Sequence, residues 1–177
     1  MDTLATIALA LRLLLAAVCL TAVVGKTAGR DRVSAFRRSL AGVGVPRRLV
    51  GPIGATVVGA ELAVAALAPW SPTAVVGTVV GVALFGVLTA GVARAVRNGT
   101  TAICRCFGAR GGRLGRAHVV RNATLTTAAV VAAAATLLAT GPVEHPAGIV
   151  LAAGTAAIGT LVIVYWEDIA AVALIGK

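Results

Sequence analysis

Long apolar runs separated by short polar breaks dominate this chain. Five runs, at roughly 4–24, 49–69, 72–93, 119–140 and 147–166, are built from Ala, Val, Leu, Ile and Gly. Each is about twenty residues long, which matches a bilayer core of about 30 Å crossed at about 1.5 Å per helical residue. Spanning strands would need shorter segments of alternating polarity, and no such alternation occurs. Lipid offers backbone groups no partner, so helices are the expected solution. Pro69-Trp70-Ser71-Pro72 and Gly141-Pro142-Val143-Glu144-His145-Pro146 mark two tight connections, where proline ends one helix and opens the next. The pattern predicts an all-α membrane bundle of about five helices, forming one integral membrane domain over residues 1–177.

Composition agrees. The 177 residues are 59% hydrophobic and 12% charged, against about half apolar and a quarter charged in soluble domains. Mean hydropathy is +0.98. The first run carries Asp2 before it and its positive charges after it, the reverse of a secretory signal. It reads as a retained helix. Val18 before Cys19 is bulky where a lipoprotein cleavage site needs a small residue.

The net charge of +10 is a topology signal. Lys26, Arg30, Arg32, Arg37, Arg38, Arg47 and Arg48 lie in one connection. Arg94, Arg97, Arg105, Arg110, Arg113, Arg116 and Arg121 lie in another, and the two remaining connections hold no Lys or Arg. The positive-inside rule places the basic connections in the cytoplasm, with the N-terminus outside and the C-terminus inside a plasma (inner) membrane. The arginines flank spanning helices, so anionic lipid headgroups, and not nucleic acid, are their expected partners. Within the first basic connection Val33, Phe36 and Leu40 recur at helical spacing between arginines, predicting a short helix on the membrane surface.

Two charges interrupt the apolar runs. Arg12 and Glu61 each lie about 12 Å from the same expected boundary, on helices adjacent in sequence. Equal depth and opposite sign predict a buried Arg12–Glu61 pair, read either as a structural bridge or as a proton or ligand site. Gly77 and Gly81 form a small-xxx-small pair suited to close helix packing.

The chemistry concentrates at Cys104-Arg105-Cys106-Phe107-Gly108, in a polar loop over residues 98–116. Two of the three cysteines stand there one residue apart. Closing a disulfide over a single intervening residue is strained, and strained disulfides are labile. Arg105, Arg110 and Arg113 favour the thiolate, which is both the nucleophile and the metal ligand. Phe107 can anchor the loop at the interface, and the following glycines keep it flexible. Cys19 lies on the same expected side of the bilayer. It is read as a resolving thiol or third ligand, or as a small packing residue. His118, at the start of the fourth spanning helix, reads as an interfacial helix-end residue. His145 lies at the opposite side.

The Cys-Arg-Cys-Phe-Gly run resembles the Cys-x-Cys-Phe-Gly signature of the MauE family and its DoxX-like relatives. Arg12 and Lys26 around the first helix, Gly44-Val45-Pro46 before the second, Glu61-Leu62 within it and Arg121-Asn122 after the motif agree in order. The resemblance covers roughly residues 8–140. It implies a four-helix membrane core that assists disulfide formation or thiol redox in a partner, often a thioredoxin-like protein. Vitamin K epoxide reductase-like proteins do related chemistry, but their Cys-x-x-Cys is absent, so their quinone mechanism does not transfer.

Three function classes follow. One is a thiol–disulfide redox protein, possessing an oxidoreductase activity through Cys104 and Cys106 with Cys19 in support. Another is a soft-metal protein for copper or zinc, against which the lack of Met-rich segments and of His near the loop counts. The third is a structural or transport subunit. No cofactor motif, phosphate loop or hydrolase constellation is present. The exported targets implied by the resemblance stand against the cytoplasmic side implied by the arginines, where thiols are kept reduced.

Overall fold

Each long helix buries one narrow stripe and leaves the rest of its apolar surface outward. A computed structural model describes residues 3–99, 115–139, 141, 143, 145–166 and 168–169, together with the backbone of 103–104 and 112–113. Its helices are α1 (Thr3–Thr27), α2 (Arg30–Gly42), α3 (Val50–Leu67), α4 (Ala74–Arg97), α5 (Arg116–Leu138) and α6 (Pro146–Val164). Single turns of 3-10 helix at Arg47–Leu49 and Ser71–Thr73 lead into α3 and α4. All the helices except α2 are long and apolar enough to cross a membrane. They match the five predicted runs, with ends displaced by a few residues.

The buried positions explain the assembly. Ala5, Ala8, Arg12, Leu15, Cys19, Ala22 and Lys26 of α1 are all buried and follow alternating steps of three and four. His118, Asn122, Leu125, Ala129 and Ala132 repeat the pattern on α5. That spacing keeps one seam facing its neighbours along near-antiparallel helices. α1 packs on α3, α3 on α4, α4 on α5 and α5 back on α1, closing a four-helix ring. α6 lies outside the ring against α1. Leu15, Val18, Val64, Phe85, Leu125 and Ala129 fill the centre. Val76, Val79, Val87, Leu137, Val150 and Leu161 point outward. An apolar exterior around a packed interior is the membrane arrangement, since a soluble helix would carry polar residues there.

Gly77 marks a close approach between α4 and the end of α3. A Cβ there would lie 2.4 Å from the Ala68 backbone nitrogen. Gly81, one turn further on, faces Val64 and Ala129 at ordinary distance. The predicted small-residue pair therefore sets how closely α4 approaches α3. Across the α4–α5 seam the Thr89 and Thr126 hydroxyls hydrogen-bond at 2.9 Å.

α2 is the predicted surface helix. Phe36 and Leu40 turn inward over Gly54 of α3, while Val33 is exposed. Ala35, Phe36 and Ser39 are the buried residues of α2, so its inward stripe is displaced from the expected Val33–Phe36–Leu40 line. β1 (Ile103–Cys104) and β2 (Gly112–Arg113) pair antiparallel, with Ile103 opposite Arg113 and Cys104 opposite Gly112. β1 packs against α2.

Candidate functional site

The buried charges follow from the direction of helical side chains. A side chain leans toward the N-terminus of its own helix. On α1, Arg12 therefore leans toward the chain's beginning, and Lys26 leans back toward the bundle centre. On the antiparallel α3, Glu61 leans toward the end of the bundle that carries the basic connections. Lys26 and Glu61 point toward each other, while Arg12 and Glu61 point apart.

The predicted Arg12–Glu61 pair is accordingly corrected. Lys26 donates to Glu61 Oε1 as a buried ion pair, with both side chains 2% exposed. Arg12 donates instead from Nε to Ala68 O and from Nη2 to Pro69 O, each at 2.6 Å. These carbonyls stand at the C-terminal end of α3, where the helix dipole favours a cation. Arg12 is level with Ala68, so Glu61 is about 10 Å deeper along the bundle, seven residues away. Equal distance from a sequence-estimated boundary had hidden this offset.

Arg12, Cys19 and Lys26 are spaced seven apart and share one face of α1. Cys19 is 1% exposed and sits among Leu15, Val18, Val64 and Leu125. Above the ion pair, the Phe36 ring of α2 lies with its centroid 5.4 Å from Lys26 Nζ, a cation–π contact. A cavity of about 260 Å³ opens beside it, lined by Lys26, Phe36, Arg37, Gly54 and Val58. Glu61 Oε2 has no hydrogen-bond partner among the described residues.

The first turns of α5 add a second buried polar group at the same end. His118, Arg121 and Asn122 are all buried, and Arg121 is among the largest fully buried side chains. His118 is thus an interior residue and not the interfacial one expected. The signal was in the sequence: His118 and Asn122 continue the seam of Leu125, Ala129 and Ala132. Lys26, one of the charges that set the expected topology, likewise continues the seam of Leu15, Cys19 and Ala22.

Of the predicted thiol pair, the backbone of Cys104 is placed in β1, at the end of the bundle that carries α2, Lys26 and the start of α5. Arg105, Cys106, Phe107 and Gly108 lie outside the described residues. No group of three or more His, Cys, Asp or Glu side chains suited to a metal occurs among the described residues.

The family model described as methylamine utilisation protein MauE matches residues 4–135. That span takes in α1 to α4, the cysteine loop and nearly all of α5, and it leaves α6 outside. No curated protein and no solved structure matches the chain.

Proposed function

This chain belongs to the MauE family, and from that premise we propose that it is a multi-pass membrane protein exchanging thiols and disulfides with a partner through Cys104 and Cys106. The family and the five apolar helices establish the membrane setting. The redox role rests on the pairing of two adjacent cysteines with a basic loop.

One observation carries the reading. The strand holding Cys104 packs on α2, and α2 in turn covers the buried Lys26–Glu61 pair. The Cys104 backbone, on a strand against the helix that caps this buried charge, supports a reactive pair being presented at that bundle end. In the proposed cycle one thiolate attacks the partner's disulfide, forming a mixed disulfide and releasing a partner thiolate. The second cysteine, as thiolate, displaces the partner's remaining sulfur. The partner leaves as a dithiol, and Cys104–Cys106 is left as the disulfide, two electrons poorer. A thioredoxin-like dithiol reverses the sequence and restores the pair. The short spacing keeps the disulfide easy to reduce. Cys19 is assigned to packing, because it is buried within the central apolar cluster.

The test is a pair of single variants, Cys104→Ser and Cys106→Ser, in native membranes. Loss of the resolving cysteine should trap a partner in a reductant-sensitive cross-link, and loss of the attacking cysteine should abolish it. No cross-link from either variant, with stoichiometric copper or zinc on the purified wild type, would replace the redox reading with the soft-metal one.

A further inference from the structure

The opposite end of the bundle holds a feature that the thiol chemistry does not use. A cavity of about 460 Å³ lies where α1 begins, bounded by the α3–α4 and α5–α6 connections. Ala5, Ala8, Leu9 and Ile149 give it apolar walls, and Arg12, Ser71 and Thr136 also line it. Arg12 is 93% buried, being 7% exposed. Its two hydrogen bonds go to neutral carbonyls through Nε and Nη2. Among the described residues no carboxylate forms an ion pair with it. A guanidinium carries five N–H donors, so donors at Nη1 and Nη2 remain beyond those two bonds.

A buried cation without a counter-charge is costly. The two carbonyls orient this guanidinium and, at the C-terminal end of α3, supply only the partial negative charge of the helix dipole. The chemistry of this lining, a buried guanidinium beside apolar walls, suits an anion at Arg12 and apolar atoms in the rest of the space. From this we infer that the cavity binds an amphiphile with an oxyanion head, phosphate or carboxylate, and a hydrocarbon body. The head pairs with the free edge of Arg12. The body lies along Ala5, Ala8, Leu9 and Ile149. The volume falls in the range of small-molecule sites, about 300–1,000 Å³. Ile149 belongs to α6, and Gly141 and Val143 belong to the connection before it. All three lie beyond residue 135, where the family match ends. The site is thus partly built by the part of the chain outside that match, and it stands independently of the thiol proposal.

The test uses the full chain purified in a neutral maltoside detergent, with binding read by thermal shift and native mass spectrometry. The probes are dodecyl phosphate, dodecanoate, inorganic phosphate and dodecanol. Dodecyl phosphate or dodecanoate should bind and raise the melting temperature. Inorganic phosphate and dodecanol should each bind at least about tenfold more weakly, since a charged hydrogen-bonded contact and apolar burial are each worth that much. Arg12→Gln should weaken the charged amphiphiles by about tenfold or more, and Arg12→Lys should retain part of the binding. If Arg12→Gln fails to fold, Ser71→Leu with Thr136→Leu fills the cavity and leaves Arg12 in place; it should also abolish binding. Equal binding of dodecanol and dodecyl phosphate would show that the charge is not read and would overturn the inference. Binding of inorganic phosphate as tight as that of dodecyl phosphate would overturn the amphiphile. Unchanged binding in the filled variant would overturn the location.

Discussion

Lys26 of α1 and Glu61 of α3 form a buried ion pair beneath the Phe36 ring, linking two helices of the four-helix ring. Their charges meet because antiparallel helices aim their side chains at one another from opposite ends. The pair replaces two isolated charges that the interior would not tolerate, and it fixes the register between α1 and α3.

Neutralising one member should be worse than neutralising both. Glu61→Leu or Lys26→Met alone leaves an unpaired buried charge and should destabilise the protein by about 3–5 kcal/mol. The double variant Lys26→Met, Glu61→Leu should recover most of that loss. Reversible unfolding in mixed micelles measures all three. A double variant less stable than either single one would rule out the ion pair as the linkage between these helices.

Gly77 should tolerate no side chain. With a Cβ 2.4 Å from Ala68 N and 2.7 Å from Ala68 Cα, backbone must move to admit even alanine. Gly77→Ala should cost about 1–3 kcal/mol as an overpacked contact, and Gly77→Val more. Gly86 on the same helix has nothing within 4 Å of its would-be Cβ. Gly86→Ala should therefore be neutral or stabilising by up to about 1 kcal/mol, because alanine favours a helix. Melting temperatures of the two alanine variants give the comparison, and equal losses would refute the close approach.

The spans were legible because length and hydropathy are properties of a segment by itself. Arg12, Glu61 and Cys19 were also legible as interior groups. Who pairs with whom was not, because partners depend on the axial offset between helices. That offset is set by where α3 ends against Arg12 and by the close contact at Gly77, neither of which appears in a count of residues from a boundary. His118 and Arg121 were obscured for a related reason. Polar residues near a helix end read as interfacial unless their seam position is followed into Leu125 and Ala129. The chemistry of Cys104 and Cys106 stands as a proposal from their spacing, since Cys106 lies outside the described residues.

The connections bearing Arg30 to Arg48 and Arg94 to Arg116 should lie in the cytoplasm. In a background of Cys19→Ala, Cys104→Ser and Cys106→Ser, a single Ser71→Cys should react in intact cells with an impermeant maleimide. Ser34→Cys should react only after the cells are opened. Ser34 lies on α2, before α3, and Ser71 in the turn after α3, so the two sites report opposite ends of that spanning helix. The reverse labelling pattern would invert the orientation and place the cysteine loop outside.

Cys19 should behave as part of the interior. It is 1% exposed within the cluster that holds Leu15, Val18, Val64 and Leu125, and an alkylating reagent must reach the thiol to react. On the folded protein, N-ethylmaleimide should modify Cys104 and Cys106 at least about tenfold faster than Cys19, with Cys19 catching up once the protein is unfolded. Peptide mass spectrometry at timed intervals resolves the three sites. Cys19→Ala should cost about 1–2 kcal/mol, less than a buried leucine truncation, because it removes one sulfur atom from a packed cluster. It should also leave the mixed-disulfide trap of the resolving-cysteine variant intact. If Cys19→Ala instead eliminates that trap while the protein stays folded, the thiol takes part in exchange. The electrons would then pass from the loop into the bundle along α1, and the role assigned to packing would have to be given up.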